Sequence, residues 1–458
     1  MTMPDTIAAI ATANAPGGIG IVRMSGPAAF SITKAIFRPK KTLDWSHLNG
    51  YRMSYGWVGA SGRAGNEPFQ EIDEAICLLF CGPGSYTGED VAELQCHGGP
   101  LLLQRVLQAA LGAGARMAEP GEFTRRAWLN GRIRLNQAEA VMRLVTAQSE
   151  QALRAAHAGL GGALAGQIER IRDSLIALAA HIGAWMDYPE EDISPLRDCE
   201  AEDVLRGAEK ALTELIERSQ GARAVLEGVS AALIGRPNVG KSSLLNCLAG
   251  YERAIVTELP GTTRDTVTET VRLGNLTLRL TDTAGLRDTE HPVEKAGVER
   301  SLAAMKGADL VLVVVDASEG FLEEDWALLK QCDMERTIVV VNKVDLGCPE
   351  AVSYQHVVYT SAVTGEGLEE LARAAETICQ TAGFEPGEAM LSTQRQAQCA
   401  GEALAAVREA LAALEQGFAP DAVSVCLEDA VQALFSLTGE RAGDAVVDEV
   451  FRAFCVGK

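Results

Sequence analysis

The spacing of apolar positions changes along the chain, and those changes divide it. Up to about residue 125, short apolar runs bounded by Gly and Pro alternate with helical repeats. Ile19–Met24 and Ala75–Phe80 read as strands. HGGP at 97–100 opens the run LLLQRVLQAALGAG, which reads as a helix. EPGEFTRRAWLNGR at 119–132 reads as turn-rich before a second helix begins. From about 136 to 222, Ala, Leu and Glu recur at helical spacing, interrupted by DYPEEDISP at 187–195. The stretch 202–228 then reads as one long helix. Between 223 and about 380, strands and helices alternate, as a parallel sheet requires. After a linker near 384–387, helical spacing returns from about 393. The pattern predicts a multidomain α/β plus all-α chain. An α/β domain occupies 1–125, a helical domain is split into 126–222 and 381–458, and a second α/β domain at 223–380 is inserted between its halves.

Composition narrows the function classes. A chain of 458 residues is long enough for about three domains. The formal net charge of −21 repels phosphate backbones and anionic membranes, so any nucleic-acid contact needs a local basic patch. Arg116, Arg125, Arg126, Arg132 and Arg134 fall within 19 residues and are the candidate, although a solvated helix face is the commoner meaning of such a run. The eleven cysteines contain no C-x-x-C pair, which argues against zinc knuckles and disulfides. Small buried thiols in a reducing cytosol are expected. With no leader and no long apolar span, a cytoplasmic protein away from membranes is expected.

The chemistry concentrates in the inserted domain. AALIGRPNVGKSSLLNCLAG at 231–250 holds the phosphate-loop pattern G-x-x-x-x-G-K-S, with a strand expected at Ala231–Ile234 and a helix at Ser243–Ala249. Gly235 and Gly240 permit a tight loop whose amides surround phosphates. Lys241 neutralises the β and γ oxygens, and Ser242 ligates Mg²⁺. LTDTAG at 280–285 places Asp282 near the metal, through water, and the Gly285 amide near the γ-phosphate. Asp316 follows a similar strand without that glycine and reads as ordinary. VVVNKVD at 339–345 supplies Asn342, Lys343 and Asp345. The Asp345 carboxylate can accept from both N1–H and the 2-amino group of guanine, donors that adenine lacks. YTSA at 359–362 adds the Ala362 amide for the guanine O6.

These motifs in this order resemble the translation-factor-related GTPases. GTTRD at 261–265 adds Thr263 as a switch threonine on Mg²⁺. Leu286 stands where Ras-like enzymes carry a water-positioning Gln, so catalysis needs another group. The whole chain resembles the MnmE (TrmE) family of tRNA-modifying GTPases. DTIAAIATANAPGGIGIVRMSGP, SYTGEDVAELQCHGGP, AEPGEFTRRAWLNGRIRLNQAEA and the terminal FCVGK carry that resemblance outside the inserted domain.

The resemblance implies a Ras-like GTPase domain inserted in a helical domain, and an N-terminal tetrahydrofolate-binding, dimerising domain. It implies a homodimer that joins MnmG (GidA), an FAD-containing partner, in a heterotetramer or larger. The complex adds an aminomethyl or carboxymethylaminomethyl group at C5 of the wobble uridine of certain tRNAs, its methylene coming from a 5-formyl or methylene tetrahydrofolate. GTP contacts are implied for Asn238, Val239, Gly240, Lys241, Ser242 and Ser243 in the phosphate loop, and for Thr257, Glu258, Leu259, Pro260, Gly261, Thr262 and Thr263 in the first switch. Asp282, Thr283, Ala284 and Gly285 follow, then Asn342, Lys343, Val344 and Asp345, then Ser361, Ala362 and Val363. K⁺ is assigned to Asn238, Thr257, the Leu259 carbonyl and Thr262, doing the charge work of an arginine finger. Glu294 is the implied catalytic residue, orienting water through a second water. Arg23, Glu93, Arg132 and Lys458 are implied folate contacts, with Arg and Lys for the anionic tail and Glu for the pterin. Cys455 matches a cysteine used near that site and is the second implied catalytic residue. A ribosome-assembly switch of the Era or double-G-domain type is the rival reading. The acidic helical segment after 380 speaks against the basic RNA-binding module it would need.

Overall fold

A computed structural model describes residues 5–45, 47–60, 69–187, 198–219, 221–251, 269–280, 305, 307–347, 352–381, 387–418, 420–441, 443–452, 454 and 457. The chain divides into two compact units, 1–142 with 435–458, and 143–434.

The first unit is built on a seven-stranded sheet with order β3-β4-β5-β6-β2-β1-β7. Its strands are β1 (Ile7–Ile10), β2 (Gly17–Ser25), β3 (Phe37–Pro39), β4 (Tyr51–Ala60), β5 (Gln70–Phe80), β6 (Val91–Gly98) and β7 (Arg116–Met117). Only the β1–β7 pair is parallel. Alternation decides the faces. Val22, Met24, Ala92 and Leu94 turn toward α1 (Ala29–Ile36) and α2 (Pro100–Gly112), and Leu103, Val106 and Leu107 of α2 complete that core. On the opposite face, Ile7 and Ala9 pack with Ala118 and with Phe123 of α3 (Glu122–Leu129). This short helix lies inside the stretch expected to be turn-rich. Gly121 starts it at φ 70, where a Cβ would stand 2.8 Å from the Phe451 carbonyl. Leu135 and Ala138 of α4 (Leu135–Thr146) pack with Val447, Phe451 and Phe454.

The run of arginines expected as a solvated face is largely committed to carboxylates. Arg126 is 1% exposed and donates to Asp5 at 2.8 Å, Glu122 at 2.9 Å and Glu89 at 3.2 Å. Arg116 donates to Asp5 at 2.7 Å and Glu122 at 2.6 Å, and Arg125 pairs with Asp448 at 3.1 Å. Ser25 Oγ donates to Glu89 at 2.7 Å, so these charges hold the unit's own segments together.

In the second unit, helices α5 (Glu150–Leu160), α6 (Ala163–Asp187) and α7 (Asp198–Arg218) precede a parallel sheet, and α12 (Gln394–Glu415) packs back on α7 after it. Between them lie α8 (Ala222–Glu227), β8 (Val229–Ile234), α9 (Lys241–Tyr251), β9 (Glu269–Leu273), β10 (Leu276–Leu280), β11 (Leu310–Asp316), α10 (Glu323–Leu329), β12 (Thr337–Asn342), β13 (Val357–Thr360) and α11 (Leu368–Ile378). The sheet order is β13-β12-β11-β8-β10-β9, parallel except for β9–β10. Every residue of β11 and β12 is buried, as a strand covered on both faces demands. Leu310, Leu312 and Val314 face Leu244 and Leu248 of α9; Val311, Val313 and Val315 face Leu329 of α10. In place of the one long helix expected at 202–228 there are two, the first ending at Arg218 and the second starting at Ala222, and a Cβ on Gly221 would lie 2.2 Å from the Gln380 carbonyl. That approach brings the two ends of the sheet-bearing segment together. The chain continues into α13 (Pro420–Thr438) and α14 (Asp444–Arg452).

None of the eight cysteines whose side chains are described forms a disulfide. Cys77, Cys96 and Cys399 are buried and the other five are half-buried, fewer buried thiols than composition suggested. Burial pushes Cys77 and Cys96 up to about 12. No helix among the described residues is long and apolar enough to cross a membrane.

Candidate functional site

The phosphate loop joins β8 to α9, both close to the elements expected there. Gly235 has φ +148, and a Cβ on it would stand 2.3 Å from the Val314 carbonyl. Gly240 has φ +96, and a Cβ there would stand 2.3 Å from Asn342 Nδ2. Both positions require glycine. Lys241 Nζ donates to the carbonyls of Gly235 at 2.8 Å and Arg236 at 2.5 Å. Burial pulls the Lys241 ammonium below its ordinary pKa. Val239 is buried, while Asn238, at φ 64, Ser242 and Ser243 are exposed on the loop and first helical turn.

The base-side loops lean on this one. Asn342 Nδ2 donates to the Val239 carbonyl at 3.1 Å, and its Oδ1 accepts from the Ala362 amide at 3.1 Å. Lys343 Nζ donates to the Asn238 carbonyl at 2.7 Å. Ser361 Oγ donates to Asp345 at 2.5 Å, and the Thr364 amide donates to Ser361 Oγ at 3.2 Å. The Val344 amide donates to the Thr360 carbonyl at 3.2 Å, and Val363 is exposed. A carboxylate held by a serine beside an amide-bearing turn can receive a planar ring with two adjacent N–H donors. Thr257, Glu258, Leu259, Pro260, Gly261, Thr262, Thr263, Asp282, Thr283, Ala284, Gly285, Leu286 and Glu294 lie outside the described residues.

The described donors fit a phosphate-borne Mg²⁺. Ser242 brings one hydroxyl, and among the described residues no cluster of three His, Cys, Asp or Glu could hold a metal alone.

A second group gathers on the first unit's sheet. Arg23 and Glu93 are direct partners across β2 and β6, with Arg23 Nε 2.8 Å from Glu93 Oε1. Arg23 also donates to the Gly457 carbonyl at 3.4 Å and sits 5.7 Å from the Phe123 ring centre. A Cβ on Gly88 would stand 3.2 Å from Cγ of the exposed Arg132. Cys455 and Lys458 lie outside the described residues.

Residues 135–455 match the family described as the MnmE helical domain, and residues 6–132 the one described as the GTP-binding protein TrmE N-terminus. A tRNA modification GTPase MnmE from Symbiobacterium thermophilum is 46% identical over 465 residues, covering 99% of each chain. Its counterpart from a Roseiflexus species is 42% identical over 473 residues, covering 100% of each. The chain belongs to the MnmE family. Among solved structures it is similar to the G domain of the T. maritima FeoB iron transporter, at 32% identity and TM-score 0.25, over 33% of this chain and 99% of that one.

Within this MnmE-family chain, two side chains that brace the phosphate loop escaped the sequence reading. Asp316, taken as ordinary, is 3% exposed and accepts from Lys343 Nζ at 2.6 Å. Arg236, inside the phosphate loop, donates through Nε to both oxygens of the fully buried Asp325, at 3.0 and 3.1 Å. The available signal for Asp316 was positional, since it ends its strand in register with Asn342.

Proposed function

We propose that this protein is a K⁺-stimulated GTPase acting on tRNA with an FAD-containing partner of the MnmG kind. The observation that carries the guanine reading is Asp345, held by Ser361 next to the Ala362 amide. Adenine would offer that carboxylate neither of the two ring-side N–H donors of guanine, a cost of about 1–3 kcal/mol. Asn238, Val239, Gly240, Lys241, Ser242 and Ser243 bind the phosphates. Ser242 and Thr263 hold Mg²⁺, and Asp282 and Gly285 meet the metal shell and the γ-phosphate. Asn238, Thr257, Leu259 and Thr262 hold K⁺, which supplies positive charge against that developing on the transferred phosphate. Glu294 orients the water that Leu286 cannot.

The proposal extends to the first unit. Arg23, Glu93, Arg132 and Lys458 bind a tetrahydrofolate, whose one-carbon unit becomes the methylene added at C5 of a wobble uridine. Cys455 sits in the same terminal segment as Lys458. The protein works in the cytoplasm as a homodimer, within a heterotetramer or larger. Purified protein should hydrolyse GTP faster in K⁺ than in equal Na⁺, and Glu294→Ala should bind GTP yet lose most of that turnover. Equal rates in the two salts count against the K⁺ site, and full turnover by Glu294→Ala removes that residue from its role. Unmodified wobble uridines are expected by nucleoside mass spectrometry of tRNA from a deletion strain; unchanged uridines end the tRNA reading.

A further inference from the structure

Asp316 closes β11 beneath the two nucleotide loops. Its Oδ2 accepts from Lys343 Nζ at 2.6 Å, and its Oδ1 accepts from Ser318 N at 2.9 Å and Ser318 Oγ at 2.6 Å. The Lys343 ammonium also donates to the Asn238 carbonyl at 2.7 Å. One ammonium thus joins a nearly buried carboxylate on the central strand to the middle of the phosphate loop. Lys343 and Asn238 both hold left-handed backbone, at φ 66 and 64, where a non-glycine residue stays only if its surroundings hold it. Burial alone would raise the Asp316 carboxyl, but the bonds from Lys343 and Ser318 outweigh it and hold the group below its ordinary pKa.

We infer that Asp316 is a positioning residue: through Lys343 it sets the backbone of Asn238, and so couples the base-side loop to the phosphate and potassium end of the nucleotide site. The inference rests on the guanine-nucleotide reading above. A merely structural Asp316 would only cap the turn at Ser318, for which Oδ1 suffices. Asp316→Asn separates the two, because an Asn keeps that acceptor and loses the charge facing Lys343.

The test is GDP affinity, together with the K⁺ concentration giving half-maximal GTP hydrolysis, in full-length wild type, Asp316→Asn, Lys343→Met and the double variant. Asp316→Asn should weaken GDP binding about tenfold or more, as loss of a charge-assisted bond implies, and raise the K⁺ requirement. In the Lys343→Met background, Asp316→Asn should change neither value by more than about twofold, the signature of residues acting as a unit. Unchanged affinity in Asp316→Asn, or losses that multiply in the double variant, would overturn the inference while leaving the nucleotide reading intact. A wild type that binds no GDP would sink the reading itself and the inference with it. If Asp316→Asn does not fold, Lys343→Met decides alone, because its side chain is 30% exposed. An unchanged K⁺ requirement there means that no link runs to Asn238, and the inference falls.

Discussion

Arg126 has three carboxylates within 3.2 Å and almost no water. Removing Arg126 leaves the buried Glu89 without its cation, while Arg116 still pairs with Asp5 and Glu122, and breaking a buried pair in this way costs up to roughly 3–5 kcal/mol. Arg126→Met should therefore lower the melting temperature of the first unit markedly, read by calorimetry, without altering GDP affinity. The network also sets a pH dependence. The bond from Arg116 leads in holding Asp5 below its ordinary pKa. For Glu122, burial pulls upward, but Arg116, the Glu119 amide and Arg126 overcome it. Carboxyl groups depressed in the folded state contribute stability above their unfolded pKa and lose it as pH falls through the folded value. Melting temperature should drop from about pH 5 downward, and Arg126→Met should flatten that slope. An unaltered slope would detach the network from acid stability. The sequence displayed these arginines as a cluster but not their purpose, because Asp5 and Glu89 lie 121 and 37 positions from Arg126.

Gly365 and Gly367 share φ +80 in the turn leading to α11, yet they should respond differently to a methyl group. At Gly365 the nearest atom to an added Cβ lies 4.0 Å away; at Gly367 the Tyr359 carbonyl would stand 1.9 Å away. Gly365→Ala should cost only the left-handed penalty, about 1–2 kcal/mol. Gly367→Ala must also push β13 aside, moving Thr360 to Ala362, and should weaken GDP binding at least about tenfold in a fluorescent-nucleotide titration. Equal effects at both positions would show that the close approach is immaterial. The strand–loop–helix around Lys241 was legible because glycine spacing, lysine and flanking periodicity all lie within one short stretch. Asp316 was not: its partner Lys343 directly follows the neighbouring strand, and only the register of β11 with β12 brings them together. The break before α8 was hidden too, since helical spacing runs through Gly221 and its close neighbour Gln380 is far along the chain.

At the level of the molecule, the sheet-bearing segment leaves and rejoins the helical part at nearly one point. A Cβ on Gly221 would almost touch the Gln380 carbonyl, and α7 pairs with α12 through Arg408 to Glu209 at 2.8 Å and Arg206 to Glu415 at 2.9 Å. A fragment of residues 221–381 should then fold alone and bind GDP within about threefold of the full chain, checked by circular dichroism and titration. An unfolded fragment would mean that the helices are needed to shape it.

The first unit has a different dependence, fixed by when its parts are made. Leu135 needs the segment that carries Gly439, where a Cβ would stand 2.2 Å from Leu135 Cβ, and Gly121 needs the segment carrying Phe451 and Phe454. Residues 143–434 must leave the ribosome between these partners. At about 5–20 residues per second, that delay is on the order of tens of seconds. During it the region of α3 and α4 keeps an apolar face uncovered, a window in which a chaperone, or premature release of the chain, decides whether the unit is completed.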